Sequence, residues 1–315
     1  MSRSVDVACV GILVADVITR PVEELPARGT LALVEDITLR GGGCAVNAAS
    51  VLARLGLVAS VAGKVGTDPF GAFLLGLLDE REVERGAVLE DERLATSATV
   101  VLVGPDGERT FLHLAGANAG LRLEELDRTA VLAARALHLA GALVMPELDG
   151  DPSARLLSEA KERGVVTSLD TVWDATGRWE RVLPCLPHAD LFAPNLAEAR
   201  AISREQDPAR VAAWLREQGV GEVALTMGGD GCYASGEGFE GRIPALAVET
   251  VDGTGSGDAF SAGLLYGKLA GWTFEESARF ANAVGALATT ATGAVEGVRD
   301  LTHTRAFAGL EDASG

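Results

Sequence analysis

The run Asp252-Gly253-Thr254-Gly255-Ser256-Gly257-Asp258 packs three glycines, two hydroxyls and two carboxylates into seven residues. Directly after it, Ala259-Phe260-Ser261-Ala262-Gly263-Leu264-Leu265 puts apolar residues at helical spacing, so a flexible turn feeds a helix. At such a junction the first backbone N–H groups have no intrahelical acceptor and the helix dipole adds partial positive charge, which suits a phosphate or a developing anion. Gly255 and Gly257 let the backbone approach closely. Asp258 is out of place there as a fixed charge, because a carboxylate repels the same anion. The conflict disappears if Asp258 takes a hydroxyl proton as that oxygen attacks a phosphoryl group held by the N–H groups of Gly255, Ser256 and Gly257. The alternative is an acidic residue that only complements the helix dipole.

Better-known glycine motifs do not account for this run. No Gly-x4-Gly-Lys-Ser/Thr sequence occurs in the chain, and the dinucleotide fingerprint needs a glycine where Asp258 stands. A second glycine turn, Arg40-Gly41-Gly42-Gly43-Cys44-Ala45-Val46-Asn47-Ala48-Ala49, also opens a helix. Its N–H groups and the Asn47 amide, which both donates and accepts, can bracket polyol oxygens. A tight turn that packs the helix onto a sheet uses the same glycines.

These two motifs resemble the C-terminal and N-terminal signatures of the ribokinase-like carbohydrate kinases of PfkB type, in that family's order and over residues 5 to about 298. The resemblance implies an α/β fold with a doubly wound, mostly parallel sheet, helices on both faces and a small four-stranded β lid. One kinase domain then spans 1–315, with lid strands inserted at about 12–38 and 96–115. The implied reaction moves the γ-phosphoryl group of ATP to a hydroxymethyl group of a sugar or sugar-like polyol, with Asp258 as base. By the same resemblance Asp16, Gly42, Gly43 and Asn47 hold the sugar, and Thr226, Gly228, Gly231 and Asn282 contact ATP. Asn195 and Glu198 organise Mg²⁺, Glu198 through a metal-bound water. Asp252 and Thr254 shape a site for a monovalent cation, K⁺, as in some relatives.

Plainer readings stand beside several of these. Asp16 can be an exposed strand-end acid, Asn195 and Glu198 a capping box, and Thr226-x-Gly228-x-x-Gly231 a hairpin turn. Lys64 reads as a solvated turn lysine rather than a phosphate ligand, and Asn118 as a turn residue. The chain also departs from the family. Cys44 stands where many ribokinases carry Lys, which argues against ribose, and Asp170-Thr171-Val172-Trp173-Asp174 lacks the Asn and Arg with which some members hold keto-acid sugars. Two other functions remain open: a nucleoside kinase of the same fold, with Trp173 as a shelf for the base, and a sugar or nucleotide sensor without turnover. The intact Gly255-Ser256-Gly257-Asp258 run speaks against the sensor, which has no use for a base.

Composition narrows the class. With 48% hydrophobic but only 5% aromatic residues in 315, the core must be Ala, Val and Leu, as in a parallel sheet buried under helices. A net charge of -18 argues against nucleic acid or an anionic membrane as partner, and leaves ATP dependent on Mg²⁺ and local N–H groups. Four scattered cysteines without a Cys-x-x-Cys pair fit a reduced cytoplasm. The apolar run 5–14 is bracketed by Asp6 and Asp16 and reads as a first strand rather than a signal peptide.

The periodicity predicts core strands at 5–10, 58–62, 136–139, 165–169, 190–193, 222–226, 232–234 and 241–243. It predicts helices at 44–55, 72–78, 152–163, 257–270 and 274–290. Lid strands are expected in 13–18, 31–39, 96–103 and 109–114, the last two joined by a turn at Gly104-Pro105-Asp106-Gly107. Val100, Leu102 and Phe111 would leave one lid face apolar, to cover a substrate or the same sheet of a second subunit, hence a homodimer. Residues 303–315 read as a surface helix and a frayed tail.

Overall fold

A strand that is apolar on both faces has to be covered on both, and successive residues of the first strand divide accordingly: Val7 and Cys9 join one core, Ala8 and Val10 the other. The computed structural model describes residues 4–106, 108–293 and 295–310. The turn residue Gly107 and the last part of the expected frayed tail, 311–315, lie outside these. The strands are β1 (Val7–Gly11), β2 (Val14–Arg20), β3 (Asp36–Gly42), β4 (Ala59–Gly66), β5 (Glu84–Asp91), β6 (Ala98–Val103), β7 (Arg109–Leu114), β8 (Ala136–Ala142), β9 (Val166–Thr171), β10 (Leu191–Phe192), β11 (Glu222–Thr226), β12 (Cys232–Gly236) and β13 (Phe239–Ile243). The main sheet runs β13-β12-β11-β10-β9-β8-β1-β4-β5, parallel except around β12.

Strand order reverses between β1 and β8, and it is outside the carboxyl ends of the strands at such a point that open α/β sheets bind ligands. On one face pack the helices Cys44–Arg54, Ser256–Leu269 and Phe274–Ala288, and on the other Asp151–Glu162, Leu196–Ser203 and Pro208–Glu217. The last of these and edge strand β5 escape the sequence reading. Glu84, Arg85, Glu90 and Asp91 give β5 a polar, charged outline of the kind that keeps sheet edges from pairing, and it obscures the strand signal.

The lid is a separate sheet in the order β3-β2-β6-β7. Its second segment in chain order is shifted from expectation: 31–35 lies outside any strand and β3 runs from Asp36 to Gly42. In register Asp16 faces Arg40 and Thr99, while Val101 faces Phe111. Phe111 is therefore on the inner face, opposite to the Val100 and Leu102 with which the sequence reading grouped it. Ile37, Leu39, Val100, Leu112 and Leu114 are the exposed apolar residues of the outer face.

Small residues set how closely the two helices beneath the site approach. A Cβ on Gly263 would come within 2.8 Å of the Ala281 Cα and 2.9 Å of Val284. Gly263→Val should therefore overpack this contact and lower stability by about 1–3 kcal/mol, read as a fall in the urea midpoint; an unchanged midpoint contradicts the packing described.

Candidate active site

The glycine turn of the C-terminal motif does what its residue types require. Gly255 caps the helix Ser256–Leu269 with φ 71°, a left-handed conformation natural to glycine, and Asp258 falls in the first helical turn. The side chain is buried yet lines a cavity of about 160 Å³ with Asp170, Thr171, Asn195, Glu198, Thr226, Gly255 and Gly257. A second cavity of about 160 Å³ shares Thr226 and Gly257 with it and is lined further by Gly228, Gly231, Leu246, Val248, Asn282 and Ala286. A third, about 320 Å³, lies under the lid among Asp16, Arg40, Gly42, Thr99, Arg109, Phe111, Asp252 and Thr254.

Asp258 is held by its neighbours rather than by a cation. The Asn47 amide donates to Asp258 Oδ2 at 2.7 Å, and the carboxylate lies with Cys44 Sγ and an Asp170 oxygen in a group whose members are all within 4.8 Å of one another. Burial pushes the Asp258 carboxyl up, opposed by hydrogen bonds from Asn47, Cys44 and Asp170. Asp170 goes well above the ordinary range, through burial first and then the Asp258 and Glu198 charges. Two acids this close do not both ionise, so Asp170 keeps the shared proton and Asp258 is the ionised member. Burial likewise raises the Cys44 thiol, which stays neutral.

Asn47 therefore does not stand among the residues lining the lid cavity; its buried amide orients Asp258. Gly43 is also absent from that lining. It begins the helix Cys44–Arg54 with φ 91°, and a Cβ would meet the Ile12 carbonyl oxygen at 2.4 Å. Asp16 and Gly42 do line the cavity, and they are linked: a Cβ on Gly42 would lie 2.2 Å from Asp16 Oδ2. Burial raises Asp16 to about 6, against a hydrogen bond from Thr99.

Asn195 caps the helix Leu196–Ser203 by accepting from the Glu198 N–H at 2.9 Å, which is one half of the expected capping box; the Glu198 carboxylate turns to Thr171 instead of closing the other half. The cap leaves the Glu198 carboxylate in the cavity, where Oε2 accepts from Thr171 Oγ1 at 2.9 Å. Burial lifts Glu198 to about 7, opposed by Thr171 and Asn195. Three carboxyl side chains and, among the described residues, no Lys or Arg line this cavity, a set of hard oxygen donors that suits Mg²⁺.

Thr226 ends β11, bridged to Asn195 in the parallel sense, and Gly228 and Gly231 turn with φ 57° and 84°. Asn282 donates to the Pro244 carbonyl at 2.6 Å, fixing the far wall of the same cavity.

The pair expected to hold K⁺ does not fit it. Asp252 Oδ1 accepts from the Thr254 N–H at 2.8 Å and from Arg109 Nη2 at 2.6 Å, Oδ2 accepts from the Gly293 N–H at 3.1 Å, and the Thr254 hydroxyl accepts from Arg109 Nη1. Burial raises Asp252, but these donors outweigh it and hold the carboxyl below its usual range. A guanidinium already occupies the place for positive charge.

Three further readings change. Lys64 is neither a solvated turn residue nor a phosphate ligand: it is buried in β4, with Nζ 2.6 Å from Glu125 Oε1 and donating to the Gly120 carbonyl at 2.9 Å. Asn118 exchanges hydrogen bonds with the Leu13 backbone at 3.1 and 2.9 Å, a structural tie. Trp173 is 55% exposed, stacks edge-on against Trp179 at 5.1 Å, and lines none of the three cavities. Arg109, Asp170 and Cys44 are the site residues that sequence reasoning did not assign. Asp170 carried one signal, its place at the carboxyl end of a parallel strand.

A model of the PfkB carbohydrate kinase family matches residues 5–301. The chain belongs to that family. It is an ATP-dependent sugar kinase, a phosphotransferase whose acceptor is an alcohol group. It is 31% identical over 272 residues to an Arabidopsis thaliana protein named "Probable fructokinase-6, chloroplastic", covering 81% of this chain and 71% of the relative. Identity to fructokinase-1 of Zea mays is 29% over 272 residues, or 81% and 84% of the two chains. The crystal structure of Arabidopsis thaliana ribokinase complexed with ribose and ATP superposes with a TM-score of 0.84 over 97% of this chain and 99% of that one, at 23% identity, and so shares the ribokinase fold.

Protonation of the buried acids should govern stability without ligands. A carboxyl whose folded pKa is raised binds its proton more tightly when folded, so stability is highest at low pH and falls as pH rises toward that pKa. For Glu198 the window runs from its ordinary value near 4.5 to about 7. Glu198→Gln should flatten this decline, leaving the variant more stable than the parent at pH 8 by on the order of 2 kcal/mol in urea titrations. Parallel pH curves for the two proteins contradict the burial described.

Proposed function

We propose that the acceptor is a hydroxymethyl group of a sugar held under the lid, and that Asp258 is the base that activates it. The observation that carries this is the Asp258 carboxyl group lining a cavity at the N-terminus of its helix, a cavity that shares Thr226 and Gly257 with the one lined by Gly228 and Gly231 and whose Gly255 follows Thr254 of the lid cavity. In the reaction the sugar O–H bond breaks and its proton goes to Asp258, the oxygen forms a bond to the γ-phosphorus, and ADP leaves with the electron pair of the broken P–O bond. The N–H groups of Gly255, Ser256 and Gly257 meet the charge on the transferring phosphoryl oxygens. Asp16 and Gly42 face the sugar, Gly43 and Asn47 support that site from the helix below, and Thr226, Gly228, Gly231 and Asn282 surround the nucleotide. Mg²⁺, held near Glu198 with Asn195 setting that helix, would neutralise phosphate charge that this chain of net charge -18 does not.

Fructose is the first candidate acceptor, because curated relatives are named fructokinases. The cavity's charges favour a neutral ligand too: Arg20 pairs with Asp36 at 3.3 Å and Arg109 with Asp252 at 2.6 Å. Arg40 supports a second reading, a sugar acid or sugar phosphate, since it lines the cavity and has no ion-pair partner among the described residues. We further propose that the chain acts as one kinase domain in a cytoplasmic homodimer. The apolar outer face of the lid, Ile37, Leu39, Val100, Leu112 and Leu114, supports the pairing, and four unpaired cysteines support the compartment. No helix among the described residues is long and apolar enough to cross a membrane.

ADP release over a panel of ketoses, aldoses, sugar acids, sugar phosphates and nucleosides, with and without Mg²⁺, tests the assignment. Asp258→Asn should lower kcat by roughly 10²- to 10⁴-fold with little change in sugar KM. A near-normal rate in that variant overturns the role of the base. Arg40→Ala should raise KM for an acidic sugar and leave a neutral one unaffected.

A further inference from the structure

The lid and the catalytic turn are joined by one side chain. Arg109 opens β7 on the lid, and its guanidinium crosses to Asp252 Oδ1 at 2.6 Å and to the Thr254 hydroxyl. Thr254 immediately precedes Gly255, the residue that caps the helix carrying Asp258. The contact is shielded: the Arg109 side chain is 27% exposed and that of Asp252 8%. A planar fork that engages a carboxylate and a hydroxyl together fixes direction as well as charge, which a spherical ion does not. Asp252 passes this constraint on by accepting from the Thr254 and Gly293 N–H groups, so the turn and Gly293 are tied to one carboxylate.

The lid reaches the base by a second route as well. β3 ends at Gly42, and the helix Cys44–Arg54, which starts two residues later, carries the Asn47 amide bound to Asp258. Displacing the lid would thus disturb both the donors at Gly255–Gly257 and the partner of the base.

We propose that Arg109 is a positioning residue for phosphoryl transfer: from the lid, its guanidinium supplies the positive charge that sets the Asp252–Thr254 turn, so that the N–H groups of Gly255, Ser256 and Gly257 are correctly placed only with the lid down and turnover needs no small monovalent cation. This rests on the kinase reading above. A strut that only stabilised the fold would affect melting and leave the chemistry of the folded fraction alone. A positioning group acts on kcat and is replaceable by its own free analogue.

Wild-type enzyme and Arg109→Ala and Arg109→Lys variants are assayed with the best sugar of the panel, in KCl and in tetramethylammonium chloride. Wild-type rates should agree within about twofold in the two salts. Arg109→Ala should melt lower, because Asp252 loses its cation, and in the folded enzyme kcat should fall by roughly 100-fold with a smaller change in sugar KM, the scale of a small misplacement remote from the reacting atoms. Guanidinium chloride at tens of millimolar should restore part of that loss in Arg109→Ala and do nothing for the wild type, and Arg109→Lys should lie between the two. Hydrogen exchange in 109–114 should slow on sugar binding in the wild type and less so in Arg109→Ala.

A wild-type enzyme that loses its activity without K⁺ overturns the proposal even if Arg109→Ala does not fold. So does a folded Arg109→Ala with near-normal kcat, or one that guanidinium fails to restore. A wild-type protein inactive on every sugar in either salt is a different failure, that of the kinase reading itself.

Discussion

A carboxylate taken out of water needs partners for its charge, and the partners chosen for Asp258 explain much of the surrounding structure. An isolated buried ion costs several kcal/mol or more, and here the cost is met by the Asn47 amide at 2.7 Å, a neutral Cys44 thiol and the proton kept by Asp170. None of these is a cation. A lysine or arginine bound to Asp258 would hold it ionised but would also lower its affinity for a proton. Hydrogen-bond donors and burial leave it ionised and still basic, while the unpaired N–H groups of the helix start leave the adjacent space attractive to phosphate.

The same economy runs through the lid. Asp16 and Gly42 sit on neighbouring strands, and the carboxylate has room because position 42 has no Cβ. The strand ends in the turn that starts the Asn47 helix, and Arg109 reaches back from the opposite strand to the turn before the Asp258 helix. The lid cavity, Asp258 and the glycine turn before its helix are thus one connected unit, an arrangement suited to a reaction that must exclude water from a reactive phosphoryl group.

How much of this was legible follows from where each signal resides. Local chemistry was readable: Gly255 and Gly43 mark helix starts because their φ angles of 71° and 91° favour glycine, and the Ala-rich runs after them mark close packing. The core strands were readable because burial on both faces leaves uninterrupted apolar runs. Partnership was not. Asn47 reads as a sugar ligand since an amide serves either role, and its bond to Asp258, 211 residues away in sequence, is a partnership that no local pattern shows. Lys64 resembles a solvated turn lysine because its partner Glu125 lies 61 residues away in sequence. Arg109 gave no signal at all: an arginine at the start of a hairpin strand is ordinary until the fold brings Asp252 against it. Phe111 was put on the wrong lid face by one residue of register, the smallest error that a strand allows and one that inverts it completely.

The central claim is spatial, and a crystal structure with fructose, ADP, aluminium fluoride and Mg²⁺ tests it most directly. The account predicts a substrate hydroxymethyl oxygen about 3 Å from an Asp258 oxygen, in line with the aluminium, and fluorides within hydrogen-bond reach of the N–H groups of Gly255–Gly257. An acceptor oxygen bound beyond about 5 Å from Asp258, or fluorides held elsewhere with those N–H groups facing solvent, would contradict it.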